Sequence, residues 1–304
     1  MSTTTVEPPA QLEPESAAAA RHHSGARRRG ERGPLARALT HGTLILASLI
    51  ALFPVAWLIY LSLGSEKNDY LHPGRILDRM TLSNYGFVLE HTQFFNWLKS
   101  TLIVAGGTAL IGVLFAATTG YAVSRMRFPG YKKLMWVLLL TQAFPIAVLI
   151  VPMYQILSDL HLVDTYIGLI LIYCGTAVPY CTWLLKGYFD TIPFEIDEAG
   201  RVDGLSPFGA YIRLILPLAR PGLAVAAFYS FITAFGEIAF ATTFMLDDSK
   251  YTFAVGLQSF ISEHDAQWNY MAATAVLIAV PVSAFFYLVQ KHLVTGLTAG
   301  GTKG

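Results

Sequence analysis

The residues able to do chemistry in this chain are few, and they are not grouped for catalysis. No Gly-x-x-x-x-Gly-Lys-Ser/Thr loop is present to cradle a nucleotide's phosphates. No Gly-x-Ser-x-Gly elbow and no His-Glu-x-x-His zinc helix occurs. The eight histidines are scattered, mostly through tails and loops. The cysteines, Cys174 and Cys181, lie seven positions apart in one apolar run. That is about 10 Å of helical rise, too far for a disulfide, and no His or Cys partner for a metal is near. They read as small packing residues. What remains is a lone carboxylate, Glu237, inside an apolar run, and an acidic cluster, Glu195, Asp197 and Glu198, just after Pro193. An ionisable side chain facing lipid is costly, so Glu237 either lines a pathway or hydrogen-bonds to a partner.

The acidic cluster has the marks of a short helix. Pro193 suits a first turn, and the carboxylates sit where the helix dipole favours negative charge. Asp203-Gly204 ends it, the glycine being able to take positive φ. Ala199 and Gly200 leave a bare surface on which another protein can pack closely. The segment reads either as a rigid acidic peg or as an ordinary surface helix, and spacing alone does not separate the two.

The elements that must position these residues are membrane helices. The chain has 304 residues, 54% of them hydrophobic and only 13% charged, about half the charged fraction of a soluble domain. Apolar runs at about 43–63, 98–123, 133–157, 164–188, 212–245 and 270–291 each reach the length needed to cross hydrocarbon as helix. The expectation is an all-α polytopic membrane protein with six transmembrane helices. The first run is too long for a signal-peptide core and lacks a cleavage site, so it is expected to be a retained helix. Residues 1–40 before it, with Arg27, Arg28 and Arg29, read as a disordered basic cytoplasmic arm. The fifth run exceeds the need of a bilayer and holds Pro217 and Pro221, which suits oblique entry from the cytoplasmic surface.

Loop charges set the orientation. One side carries the arginine run, then Arg125, Arg127, Lys132 and Lys133, then Lys186, Arg201 and Arg213. The other has no Lys or Arg at 158–163 and only Lys250 at 246–269, with 64–97 the weaker case. Both termini are therefore expected in the cytoplasm. The 64–97 loop, with Leu82-Ser83-Asn84-Tyr85, suggests a short structured cap over the second helix. In the external loop of about 246–269, Tyr251, Gln258, Glu263, Asp265 and Trp268 mix aromatic and polar groups. That mixture suits a protein or carbohydrate contact, or an interfacial aromatic belt. The net charge of +1 gives no hint of a nucleic-acid partner.

Glu198-Ala199-Gly200-x-x-Asp203-Gly204, followed by Ile215-Leu216-Pro217, resembles the EAA loop of binding-protein-dependent ABC import permeases. Gly200 stands where members usually carry a second alanine, at a cost to the helix of about 1 kcal/mol. The match continues in order through Lys99-Ser100-Thr101-Leu102, Ala122-x-x-Arg125-x-x-Phe128-x-Gly130, Leu162-Val163-Asp164-Thr165 and Ile192-Pro193-x-Glu195, as in the carbohydrate-uptake branch. Thr252-x-Ala254-Val255-Gly256-Leu257-Gln258 and Val294-x-Gly296-Leu297-Thr298-Ala299-Gly300-Gly301-x-Lys303-Gly304 are similar to the smaller permeases of maltose/maltodextrin transporters. The resemblance covers about 64–304.

The resemblance implies an ABC type I importer permease fold: a six-helix domain over 41–295, with a cytoplasmic coupling helix between helices four and five in a loop of about 192–217. It implies a subunit with no cofactor and no ATPase site of its own, ATP and Mg being held by a separate ATPase. The substrate would be a maltose/maltodextrin-type oligosaccharide, with trehalose or another disaccharide as the alternative. Glu195, Glu198, Ala199, Gly200, Asp203 and Gly204 would couple to that ATPase. The cytoplasmic C-terminal tail at 296–304, with Gly300, Gly301 and Lys303, would reach the ATPase dimer. The external loop would enter the cleft of a sugar-binding protein. Glu237 matches a position where members carry an Asn-Glu or Asn-Asp pair, in the pathway or against a second permease. The implied partners are that second permease, two ATPase subunits, an extracytoplasmic binding protein and the lipid of a bacterial inner membrane. An ion-coupled transporter would need several intramembrane charges or broken helices, and a membrane enzyme would need paired catalytic groups; only Glu237 offers itself.

Overall fold

A computed structural model describes residues 34–126, 128–261 and 266–301. Most of the arm expected at 1–40, together with Arg127, Glu263, Asp265 and Lys303, lies outside the described residues. The arm's last residues, from Pro34, are already helical. The chain divides into two units, Met1–Val55 and Ala56–Gly304. The described part of the first is the start of helix α1 (Pro34–Ser62), whose Leu44, Ile50 and Leu52 are exposed, as suits a surface solvated by lipid.

The second unit continues through α2 (Ser83–His91), α3 (Phe94–Arg125), α4 (Tyr131–Thr141), α5 (Ile146–Asp159) and α6 (Tyr166–Phe189). Then come α7 (Glu195–Val202), α8 (Pro207–Leu218), α9 (Arg220–Phe235), α10 (Ala239–Phe244), α11 (Phe253–Gln258) and α12 (Trp268–Gly301). No strand occurs among the described residues. The segment between α1 and α3 is tied down as the sequence suggests: Asn84 Nδ2 donates to Ser62 O and Gly64 O at 2.8 and 2.7 Å. Asn84 Oδ1 in turn accepts from Asn269 Nδ2 at 3.1 Å.

The frame of this unit is the pair α3 and α6, which run parallel. Ser100 meets Tyr166 through their hydroxyls at 2.9 Å near one end, and Ser124 Oγ donates to Asp190 at 2.7 Å at the other. Both contacts join residues 66 positions apart, a constant offset that only parallel helices in fixed register can keep. Small residues make the approach possible. Gly112, Ala116 and Gly120 recur every fourth position on α3, the small-xxx-small spacing that lets membrane helices pack backbone to backbone. A Cβ at Gly120 would stand 3.2 Å from both Thr182 O and Lys186 N.

Three buried layers stack along this pair. At the Phe94 end lie Phe94, Trp97, Phe253 and Phe260. In the middle are Val104, Tyr173, Phe240 and Phe244. At the Arg125 end are Tyr121, Leu185, Phe189, Tyr211 and Ile215. Both cysteines are buried and free.

Two of the expected spans are bent, and for the fifth run the prolines already suggest an oblique entry. The run at 133–157 bends by 102° between α4 and α5. The amides of Gln142, Ala143 and Phe144 tighten to carbonyls three residues back. Pro145 then supplies no donor and disfavours helical backbone in its predecessor, and Gln142 Nε2 turns to Thr176 O on α6 at 2.9 Å. The run at 212–245 bends by 80° between α8 and α9, at Ala219 between Pro217 and Pro221, and breaks again at Gly236–Ile238. Three helices are long and apolar enough to cross a bilayer, and each bent pair matches one further span. The shorter apolar stretch Trp268–Ala284 stands where a sixth is expected.

Candidate functional site

Helix α7 carries the first of the expected coupling residues, with Asp203 and Gly204 at its end, and its geometry separates an anchored face from an open one. The anchor is Asp197, buried with its side chain 3% exposed. Its Oδ1 accepts from the hydroxyl of Tyr121 at 2.7 Å. Its Oδ2 stands 3.0 Å from Arg125 Nε, an ionic contact without well-aligned hydrogen-bond geometry. Arg125, itself 8% exposed, donates from Nη2 to Ile192 O at 2.9 Å and lies over the Phe194 ring at 5.7 Å. One guanidinium therefore ties the end of α3 to both the α6–α7 corner and α7 itself. Beside it, Asp190 binds Ser124 Oγ and, at 2.5 Å, Lys186 Nζ.

The open face carries Glu195, Glu198, Ala199, Asp203 and Gly204, all exposed, with Val202 at 88% exposure and Phe208 at 68%. Gly200 departs from the expected arrangement. It is buried rather than part of a bare outer surface, and a Cβ there would come within 2.7 Å of Leu214 Cδ1 on α8. Its smallness serves packing inside the chain.

The helix ends as its sequence requires. Gly204 takes φ +84°, Gly204 N donates to Arg201 O and Leu205 N to Gly200 O. These are the two bonds of a Schellman cap. Ser206 then caps α8 by accepting from Gly209 N at 3.1 Å, with Pro207 in its first turn. Peg, cap and following helix thus form one short rigid block.

Glu237 is accounted for within the chain. Tyr173 OH donates to its Oε2 at 2.7 Å, and its two oxygens accept from Phe240 N and Ala241 N at 3.0 and 3.2 Å. It supplies the acceptors that the first turn of α10 lacks after the break at Gly236.

At the opposite end of the α3/α6 pair, Asp164 is a junction. It sits at φ +58°, and its Oδ1 accepts from Leu246 N and Asp247 N at 3.0 and 3.2 Å. Lys250 Nζ binds its Oδ2 at 2.5 Å and its carbonyl at 3.1 Å. Burial pushes the Asp164 carboxyl upward, but the Lys250 ammonium and the two amides outweigh it, so its pKa lies below the usual value. The same contact raises Lys250. Within the expected contact loop, Tyr251 is half-buried among core residues and Phe253 N donates to Thr101 Oγ1 at 2.7 Å. Gln258 is exposed, and Trp268 lies against Tyr70 with ring centroids 5.8 Å apart. Gly300 and Gly301 end α12, so the described part of the expected tail is helical.

In the sequence Arg125 counts as a loop cation that sets orientation and Asp197 as one of three acids at a helix start; neither role predicts their pairing, and nothing in the sequence singles out Tyr121. Arg125 does stand at the end of an apolar run, where a cation needs a partner, and that was the available signal.

The family model for the inner membrane component of binding-protein-dependent transport systems matches residues 108–298. The maltodextrin transport system permease protein MdxG of Bacillus subtilis (strain 168) is 39% identical over 225 residues, 74% of this chain and 81% of the relative. The maltose/maltodextrin transport system permease protein MalG of Salmonella typhimurium is 35% identical over 283 residues, 88% of this chain and 95% of that one. A chain from the crystal structure of a bacterial ABC transporter involved in import of the acidic polysaccharide alginate superposes with a TM-score of 0.69 at 20% identity, covering 86% of this chain and 98% of that chain.

Proposed function

We propose a transport function from one premise: the chain belongs to the family of binding-protein-dependent transport system inner membrane components. In our reading it is one of two permease subunits of an ATP-driven importer of maltodextrin-type oligosaccharides. The names of its relatives support that substrate class. The loop charges support a cytoplasmic location for the Arg125 end of α3 and for both termini.

The observation that carries the reading is the two-faced α7. Its outer face offers carboxylates and an exposed apolar side chain, a mixture suited to docking on a cation-bearing protein cleft. Its inner face is fixed to α3 by a buried ion pair. A force applied to the outer face by a separate ATPase therefore passes to α3 without loss in a slack joint. From α3 it reaches α6 through the in-register small-residue contact.

The test uses the chain in lipid with its partner permease, ATPase subunits and binding protein. ATPase stimulation is recorded with maltose, maltotriose and trehalose, for the parent and for Glu198→Lys. Stimulation by maltodextrins that collapses in the variant, in a complex that still assembles, is the expected result. Stimulation by trehalose alone would overturn the substrate class, and sugar uptake by this chain without any ATPase would overturn the coupling reading.

A further inference from the structure

Two adjoining hollows lie at the Arg125 end of the α3/α6 pair, the first of them beside the residues that anchor α7. The first, about 640 Å³, is polar and bordered by Ser124, Arg125, Tyr131, Lys186 and Asp190, and by Ile192–Phe194. The second, about 600 Å³, runs between α4 and α6 and is bordered by Met135, Trp136, Leu139, Tyr180 and Trp183. Tyr131 and Lys186 border both. The two form one groove that changes from polar to apolar along its length.

Its charge is lopsided. Arg125 is matched by Asp197 and Lys186 by Asp190. Lys132 lines the apolar hollow near its polar end, and Lys133 follows it. Both are exposed and make no ion pair among the described residues. Both also occupy the first turn of α4, where the helix dipole disfavours cations. The N-cap there is Gly130, which has no side chain to offer that turn's amides. Tyr131 N donates to Phe128 O, but the next two amides of that turn have no capping side chain and carry two cations, an arrangement favourable beside an anion.

The apolar end excludes a small soluble anion as the whole occupant. Trp136 is 73% exposed and Trp183 53%, the amphipathic aromatics typical of the level of lipid headgroups. Between them the groove opens along Met135 and Leu139, apolar side chains that a hydrated ion does not satisfy.

We propose that this groove is a binding site for an acidic phospholipid of the cytoplasmic leaflet. Its phosphate and headgroup lie beside Lys132, Tyr131 and Lys186, and an acyl chain lies between Trp136 and Trp183. The leaflet rests on the orientation proposed above; the chemistry of the groove does not. The headgroup end touches Ile192–Phe194, the residues leading into α7, so an occupied site braces the corner through which α7 is joined to α6.

The test is native mass spectrometry of the complete complex, exchanged into detergent with phosphatidylglycerol or phosphatidylcholine. The parent should retain phosphatidylglycerol preferentially. Lys132→Gln should weaken that retention by about fivefold, Lys133→Gln, which lines neither hollow, by less, and Lys99→Gln, at the other end of α3, should leave it unchanged. Equal retention of both lipids, or lysine variants that retain phosphatidylglycerol like the parent, would overturn the site. So would full competition by inorganic phosphate, or a photoreactive residue at Trp136 that captures the second permease instead of lipid. Labelling of Lys132→Cys by a membrane-impermeant reagent from outside would overturn the leaflet and with it the orientation, while leaving the lipid preference standing.

Discussion

The ion pair between Arg125 and Asp197 controls more than its size suggests, because both charges are buried. Removing one partner of such a pair leaves the other desolvated and alone, at a cost of about 3–5 kcal/mol. Asp197→Asn keeps an acceptor for Tyr121 but strands the guanidinium. The complex should lose thermal stability by an amount of that order, together with sugar-stimulated ATPase. Adding Arg125→Met to Asp197→Asn removes the stranded charge while retaining the Tyr121 bond, and should restore most of the melting temperature. A double variant no more stable than the single one would show that the pair is not what holds α7. This pair was only half legible in the sequence. Glu195, Asp197 and Glu198 are chemically alike, and which of them turns inward depends on Arg125, some seventy positions away. Glu237 poses the same problem. Its presence in an apolar run is plain, but its role as acceptor for α10 follows from a helix break that hydropathy does not mark.

At the scale of elements, small residues do two different things that the sequence alone does not separate. Gly120 faces backbone: a new side chain there meets Thr182 O and Lys186 N at 3.2 Å, atoms that move only if α6 moves. Gly120→Leu should therefore part the α3/α6 pair, with an overpacking cost of at least about 1–3 kcal/mol. At Gly200 the one close approach is to the tip of Leu214, which can rotate away, while Ala210 Cβ and Leu205 Cδ1 stand at an ordinary 3.5 Å. Gly200→Ala also recovers about 1 kcal/mol of helix propensity, so it should leave the melting temperature of the complex nearly unchanged. Paired melting curves of the two variants check this, and equal effects would contradict the distinction. The same scale explains why the apolar runs mark where the helices lie but leave the bend in the third of them open. Run length reports how much chain is greasy. The bend at 142–145 depends on Pro145 together with Gln142 finding the Thr176 carbonyl on another helix, and periodicity carries no trace of such a partner.

Within the second unit, two junctions sit at opposite ends of one rigid pair. At one end Arg125 binds α7 to α3; at the other Asp164 binds the segment after α10 to the start of α6. Between them α3 and α6 stay in a fixed register along their shared length. A body braced in this way can rotate but cannot easily shear, because close-packed interfaces shift between discrete arrangements and do not deform smoothly. Motion in a transport cycle must then be taken up where the helices are already broken, and the sharpest break is the 102° bend between α4 and α5. Spin labels on the assembled complex test this. Labels at the exposed Lys99 and Val202, at the two ends of the braced body, should report the same separation without nucleotide and with ATP trapped in the ATPase. Labels at Val202 and Val151, the latter exposed on α5 beyond the bend, should change their separation between those states. A change in the first distance would mean that the α3/α6 pair or the α7 anchor yields during the cycle, and that the stroke is absorbed at the joint the ion pair was inferred to lock.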